Sequence, residues 1–74
     1  MKYEPNDKTD PNAVCDAAFR CGRDLHPTDR RADWIDALPA RLVVAGQDVA
    51  IPLRGDATDA YHAGQAERYE CENW

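Results

Sequence analysis

The apolar positions of the chain change their spacing along its length, and each spacing predicts a different element. Between residues 11 and 25 an apolar residue recurs every three or four positions, the period of one helix face: Val14, Ala18, Cys21 and Leu25. Asp10 followed by Pro11 predicts the helix start, because aspartate is a favourable N-cap and proline fits the first helical position. The sequence therefore predicts a first helix over residues 11–25.

A second and shorter helix is predicted over residues 29–38. Thr28 or Asp29 supplies the N-cap, and Pro39 ends the segment because proline cannot continue a helix. Trp34 and Leu38 fall on one side of it, four positions apart, and predict its buried face.

A third helix is predicted over residues 57–72, with Asp56 or Thr58 as its N-cap. The preceding Arg54-Gly55-Asp56 is interpreted as a turn leading into that cap. The predicted inward stripe consists of small residues: Ala57, Ala60, Ala63, Gly64 and Cys71. Small side chains allow close packing against another element.

Residues 41–53 contain two short apolar runs separated by Gly46-Gln47. Glycine in the first position favours a two-residue type II′ turn, which predicts an antiparallel hairpin. This register pairs Leu42 with Ile51 and Val44 with Val49 on one face. That face is expected to form most of the core against the first and third helices.

Together these elements predict an α+β fold of order α-α-β-β-α in one small domain spanning residues 1–74, with residues 1–9 as a flexible N-terminal arm. At 74 residues the chain buries only a limited core. It contains no apolar run long enough to cross a bilayer, and its N-terminus has no apolar signal segment. A cytoplasmic location is therefore expected.

Charge and motif content restrict the functional classes. The net charge of −5 disfavours direct binding to nucleic acid or to anionic membranes. No phosphate-binding loop, dinucleotide fingerprint, nucleophile elbow or HExxH motif occurs. The acidic residues Asp29, Asp33 and Asp36 are interpreted first as a solvated helix face. We therefore expect a protein without enzymatic activity and without a cofactor.

Metal binding is also not expected. The cysteines and histidines do not follow the short ligand pairs of structural zinc sites: Cys15, Cys21, His26, His62 and Cys71. The thiols are predicted to be reduced and buried. A binding module stabilised by a metal at these cysteines and histidines is kept as an alternative.

Aromatic residues near the C-terminus predict a partner-binding surface. Tyrosine and tryptophan are favoured at protein interfaces, where a large apolar body and a polar tip are both useful. The predicted surface is centred on Tyr61, Tyr69, Glu70 and Trp74. The same aromatic residues also fit a role as amphipathic caps on the core.

The function predicted from these features is binding to another protein as an inhibitor or regulator. Small, acidic chains without motifs are typical of phage-borne anti-defence proteins, anti-CRISPR inhibitors among them, so a phage or bacterial origin is expected. A basic surface that normally holds nucleic acid would be met by one of two acidic groups, either Asp29, Asp33 and Asp36 or Glu67, Glu70 and Glu72. The alternative is a structural or assembly subunit that associates with itself as a homodimer.

Overall fold

The α+β architecture and the element order α-α-β-β-α are confirmed in a computed structural model. It describes residues 3–43, Gly46 and residues 50–72, the last two by their backbone alone. The elements, in chain order, are helix α1 (Pro11–Asp24), a 3₁₀ helix (Arg30–Ile35), strands β1 (Leu42–Val43) and β2 (Ala50–Ile51), and helix α2 (Leu53–Glu72).

Helix α1 forms as its sequence predicts. The Asp10 side chain accepts a hydrogen bond from the Asn12 backbone N–H at 3.0 Å, with Pro11 at the first helical position. The predicted apolar stripe is fully enclosed: Val14, Ala18 and Cys21 are 0 % exposed and Leu25 is 2 % exposed. Local sequence signals at both ends of the stripe therefore determine this element.

Helix α2 begins at Leu53, so the predicted start at residue 57 is wrong. The Asp56 N–H donates to the Pro52 carbonyl at 2.8 Å, which closes the first turn. Arg54-Gly55-Asp56 consequently lies inside α2 and is not the turn that the sequence predicted. Leu53 becomes a core residue with 0 % exposure, and its burial stabilises this early helix start.

Among the described residues, the core lies mainly between α1 and α2, and none of its fully buried residues belongs to strand β1 or β2. Its buried residues come from both helices and the 3₁₀ helix: Val14, Ala17, Ala18, Cys21, Leu25, Trp34, Ile35, Leu38, Leu53 and Ala57. Of the small residues predicted on α2, Ala57 and Gly64 are buried, Ala60 is half-buried and Ala63 is exposed, whereas Cys71 has no described side chain.

Two glycines allow α1 and α2 to approach closely. A Cβ atom on Gly22 would overlap the carbonyl oxygen of Tyr61, and one on Gly64 would overlap the carbonyl oxygen of Phe19. Farther along, Arg68 of α2 donates to the carbonyl of Leu25 at 2.9 Å. Near the helix starts, burial and the carboxylate of Asp56 raise the pKa of Cys15. From Cys15 with Asp56 to Leu25 with Arg68, residue numbers rise together, so α1 and α2 run in the same direction.

The segment predicted as the second helix is a short 3₁₀ helix. Asp29 is its N-cap and accepts from the Arg31 backbone N–H at 3.0 Å. Trp34 and Leu38 are buried, as the sequence predicts. The Leu38 carbonyl accepts a hydrogen bond from Arg54 Nε at 2.9 Å, which ties the end of this segment to the start of α2.

The hairpin register is confirmed, with Leu42 opposite Ile51 and Val43 opposite Ala50. Leu42 is half-buried and packs on the core, whereas Val43 on the other face is 71 % exposed. Gly46 has a φ of 84°, consistent with the predicted need for glycine in the turn. The predicted core positions Val44 and Val49 lie outside the described residues.

The start of the described chain contacts the core through Tyr3. The Cys21 thiol donates to the Tyr3 carbonyl at 3.4 Å, and the Arg31 guanidinium lies 5.3 Å from the centre of the Tyr3 ring. Cation–π contacts of this kind contribute about 0.5–1 kcal/mol at exposed sites. Among the described residues, no helix combines the length and hydropathy needed to cross a membrane.

Candidate partner-binding surface

Tyr61 lies on the side of α2 that faces the 3₁₀ helix. It is half-buried and packs against the core, and its ring centre lies 6.0 Å from that of His62 in an edge-on arrangement. The close approach of Gly22 to the Tyr61 carbonyl fixes the backbone at this position. One predicted site residue is therefore held rigidly at the edge of the core.

A depression of about 280 Å³ lies beside Tyr61, between α2 and the 3₁₀ helix. Its lining combines apolar and acidic residues: Pro27, Asp29, Ala32, Asp33, Ile35, Asp36, Thr58, Tyr61 and His62. Side chains three positions apart are eclipsed on a 3₁₀ helix, so Asp33 and Asp36 extend from the same row. The 3₁₀ geometry thus concentrates carboxylates on one wall.

A second depression of about 280 Å³ lies where α1 ends, next to Tyr69. Its lining is more apolar and includes no carboxylate: Gly22, Leu25, His26, Pro27, Gln65, Arg68 and Tyr69. Tyr69 is 70 % exposed, whereas Leu25 is 2 % exposed. The predicted site residue Tyr69 therefore presents most of its ring to solvent.

Pro27 lines both depressions, which are consecutive along one side of α2. We call the combined surface the α2 groove, with an acidic end at Asp33 and Asp36 and a tyrosine end at Tyr69. Tyr61 and Tyr69 are separated by eight residues, or about 12 Å along a helix. The structure thus brings Tyr61 and Tyr69 together with the acidic residues of the 3₁₀ helix.

The carboxylates of the acidic end differ in their pairing. Arg31 Nη2 lies 2.6 Å from Asp29, and the Arg31 side-chain and backbone hydrogen bonds lower the pKa of Asp29 to about 2. The side chains of Asp33 and Asp36 are exposed and form no ion pair or hydrogen bond within the described residues. Asp33 and Asp36 are consequently the negative charges available to a ligand here.

Of the other two predicted site residues, the structure describes Glu70, which does not belong to this groove. Glu70 is exposed, but nine helical positions place it roughly opposite Tyr61 around α2. Trp74 lies outside the described residues. Conversely, His62, Asp33 and Asp36 line the groove although the predicted site did not include them. The spacing of three between Asp33 and Asp36 was the sequence signal for a shared face.

Of the two cysteines whose side chains are described, Cys21 is buried as predicted, whereas Cys15 is only half-buried. Cys15 and Cys21 are free, and burial raises the pKa of both. Within the described part of the chain, no three histidine, cysteine or acidic side chains form a group that could hold a metal. These statements do not extend to Cys71, because its side chain is not described.

Similarity to known proteins gives no further assignment. No protein-family profile, curated protein or solved structure matches the chain.

Proposed function

We propose that this protein has no enzymatic activity and acts by binding another protein, as an inhibitor or regulator. The observation that carries the proposal is the exposed Tyr69 beside an open groove that also includes Tyr61. Exposed aromatic side chains next to apolar depressions are typical anchors of protein interfaces. Its proposed location is the cytoplasm of a bacterial cell, with a phage or bacterial origin.

The charge of the groove supports a partner with a basic surface. Asp33 and Asp36 are part of the net charge of −5, and their side chains form no ion pair or hydrogen bond within the described residues. Such complementarity raises the association rate and excludes acidic competitors. A protein surface that normally holds nucleic acid has this chemistry, so the protein would compete with nucleic acid for it.

Self-association is the second candidate, and one observation favours it. Val43 is 71 % exposed on a two-stranded hairpin, which presents apolar surface to a second copy of the chain. Sedimentation velocity at micromolar concentration separates the candidates. A stable homodimer that Val43→Lys dissociates favours assembly, whereas a monomer favours a different partner protein.

The main proposal is tested by affinity capture from a bacterial lysate followed by reconstitution from purified components. Tyr69→Ala should weaken the reconstituted complex by about thirtyfold, because an aromatic anchor commonly contributes about 2 kcal/mol. Glu67→Ala changes another exposed position of α2 and serves as the control. If no captured protein binds in purified form, or if Tyr69→Ala binds like the wild type, the proposal is wrong.

A further inference from the structure

We infer that the α2 groove binds one face of a basic amphipathic helix of the partner. An arginine or lysine of that helix lies at the acidic end, and an apolar side chain lies at the tyrosine end. This inference rests on the proposed function and specifies the chemistry and spacing of the partner segment.

The acidic end has the composition of a cation-binding site. Asp33 and Asp36 extend from one row, and the Tyr61 ring belongs to the same lining. Carboxylates bind guanidinium and ammonium groups through charge-assisted hydrogen bonds, and aromatic rings attract the same groups. The protein already contains such an arrangement, since Arg31 contacts both the Asp29 carboxylate and the Tyr3 ring.

The tyrosine end suits an uncharged apolar side chain. The acidic side chains of the first depression are absent from its lining, where Leu25, Pro27 and Tyr69 provide the apolar surface. Arg68 also lines it, but this residue donates to the Leu25 carbonyl. A second cation at this end would therefore lie near the positive charge of Arg68.

The walls of the groove favour a helix over an extended peptide. Most of the lining belongs to α1, α2 and the 3₁₀ helix, whose backbone groups are paired within their own helices. An extended segment needs a strand edge for its backbone hydrogen bonds, whereas a helix satisfies its own.

The spacing of the two ends sets the pattern on the partner. The separation of about 12 Å between Tyr61 and Tyr69 along α2 corresponds to roughly two helical turns. A cation and an apolar residue seven positions apart lie on the same face of a helix at this distance. The expected pattern is therefore a lysine or arginine at position n and an apolar residue at n+7.

An alanine-rich helical peptide with arginine at n and leucine at n+7 tests this inference on the full chain labelled with ¹⁵N. At low salt the amide shifts should concentrate at the two ends of the groove. Asp33→Asn combined with Asp36→Asn should weaken peptide binding by about tenfold, as expected when two exposed charge pairs are lost. Moving the leucine to n+5, the opposite helix face, should weaken it similarly.

A matched double variant separates a specific site from general charge attraction. Asp59→Asn combined with Glu70→Gln removes the same two negative charges from exposed positions on the other side of α2. This control should change peptide affinity by less than about twofold. Equal losses for the two double variants would overturn the inference, as would binding that ignores the position of the leucine. Amide shifts that change with protein concentration in the absence of peptide would show that a second copy of the chain occupies the groove. This result would also overturn the inference.

The reconstituted complex distinguishes failure of this inference from failure of the proposed function. If the partner protein binds the Asp33→Asn/Asp36→Asn variant as tightly as the wild type, the groove assignment is wrong but partner binding stands. If no partner protein binds the wild type, the proposed function is wrong whatever the peptide does. Both proposals are supported if the partner binds the Asp33→Asn/Asp36→Asn variant about tenfold more weakly than the wild type and binds the Asp59→Asn/Glu70→Gln control as tightly as the wild type.

Discussion

Gly22 of α1 lies directly against the backbone carbonyl of Tyr61 in α2. The absence of a side chain at Gly22 therefore determines both the separation of the two main helices and the position of a groove residue. Gly64 makes the reciprocal approach to Phe19. The fold and the candidate binding surface consequently depend on the same helix contact.

Gly22→Ala and Gly64→Ala should each lower the free energy of unfolding by at least about 2 kcal/mol, because the new methyl group overlaps backbone atoms that cannot move independently. Helix propensity alone predicts the opposite sign, a gain of about 1 kcal/mol. Gly55→Ala is the control, since its Cβ would meet only Pro52 Cβ at 3.9 Å. Chemical denaturation measures all three, and stabilised Gly22→Ala and Gly64→Ala variants would contradict the close helix contact.

The helix pair, not the hairpin, should dominate stability. Leu53→Ala is expected to cost about 2–5 kcal/mol, because it removes a fully buried side chain and leaves a cavity. Val43→Ala should change stability by less than about 0.5 kcal/mol, because Val43 is 71 % exposed. Urea unfolding of both variants compares them directly. An equal loss of unfolding free energy for Leu53→Ala and Val43→Ala would show that Val43 is buried in solution.

Asp29 should contribute to the acid sensitivity of the fold. Its pKa of about 2 lies below the ordinary value of 3.8, so its stabilising contribution is complete above pH 3.8 and is lost as the pH falls toward 2. Asp29→Asn keeps an N-cap acceptor but removes the charge. The melting temperature of the variant should therefore fall less steeply than that of the wild type between about pH 4 and pH 2. Parallel curves would mean that the Arg31 pair is absent in solution.

Cys15 and Cys21 should react slowly with thiol reagents. Burial raises the pKa of both thiols, so little reactive thiolate is present at neutral pH. In a Cys71→Ser background, the buried Cys21 should react with Ellman's reagent at least about tenfold more slowly than a free thiol until the protein unfolds, and the half-buried Cys15 should be less protected. Rapid modification of Cys21 in the native protein would contradict its burial.

The success of the sequence predictions depended on how local each signal was. Helix α1 was predicted almost to the residue because its cap and apolar stripe are local. The start of α2 was missed because Pro52 and Gly55 favour a turn, although the spacing of four between Leu53 and Ala57 continues the buried stripe. Of the predicted site residues that the structure describes, Tyr61 and Tyr69 line the groove and Glu70 does not, because the groove requires the 3₁₀ helix to lie beside α2.

The shared direction of α1 and α2 has a consequence for how the protein folds during synthesis. Contacts such as Gly22 to Tyr61 join residues roughly forty positions apart, so a long loop must close before the helices meet. A nascent chain ending at residue 52 contains α1 and the core residues of the 3₁₀ helix, but not the surface of α2 that packs on α1. Completion of the core therefore waits until α2 has left the ribosome, and until then the part of the α1 stripe that α2 covers is exposed to chaperones and proteases.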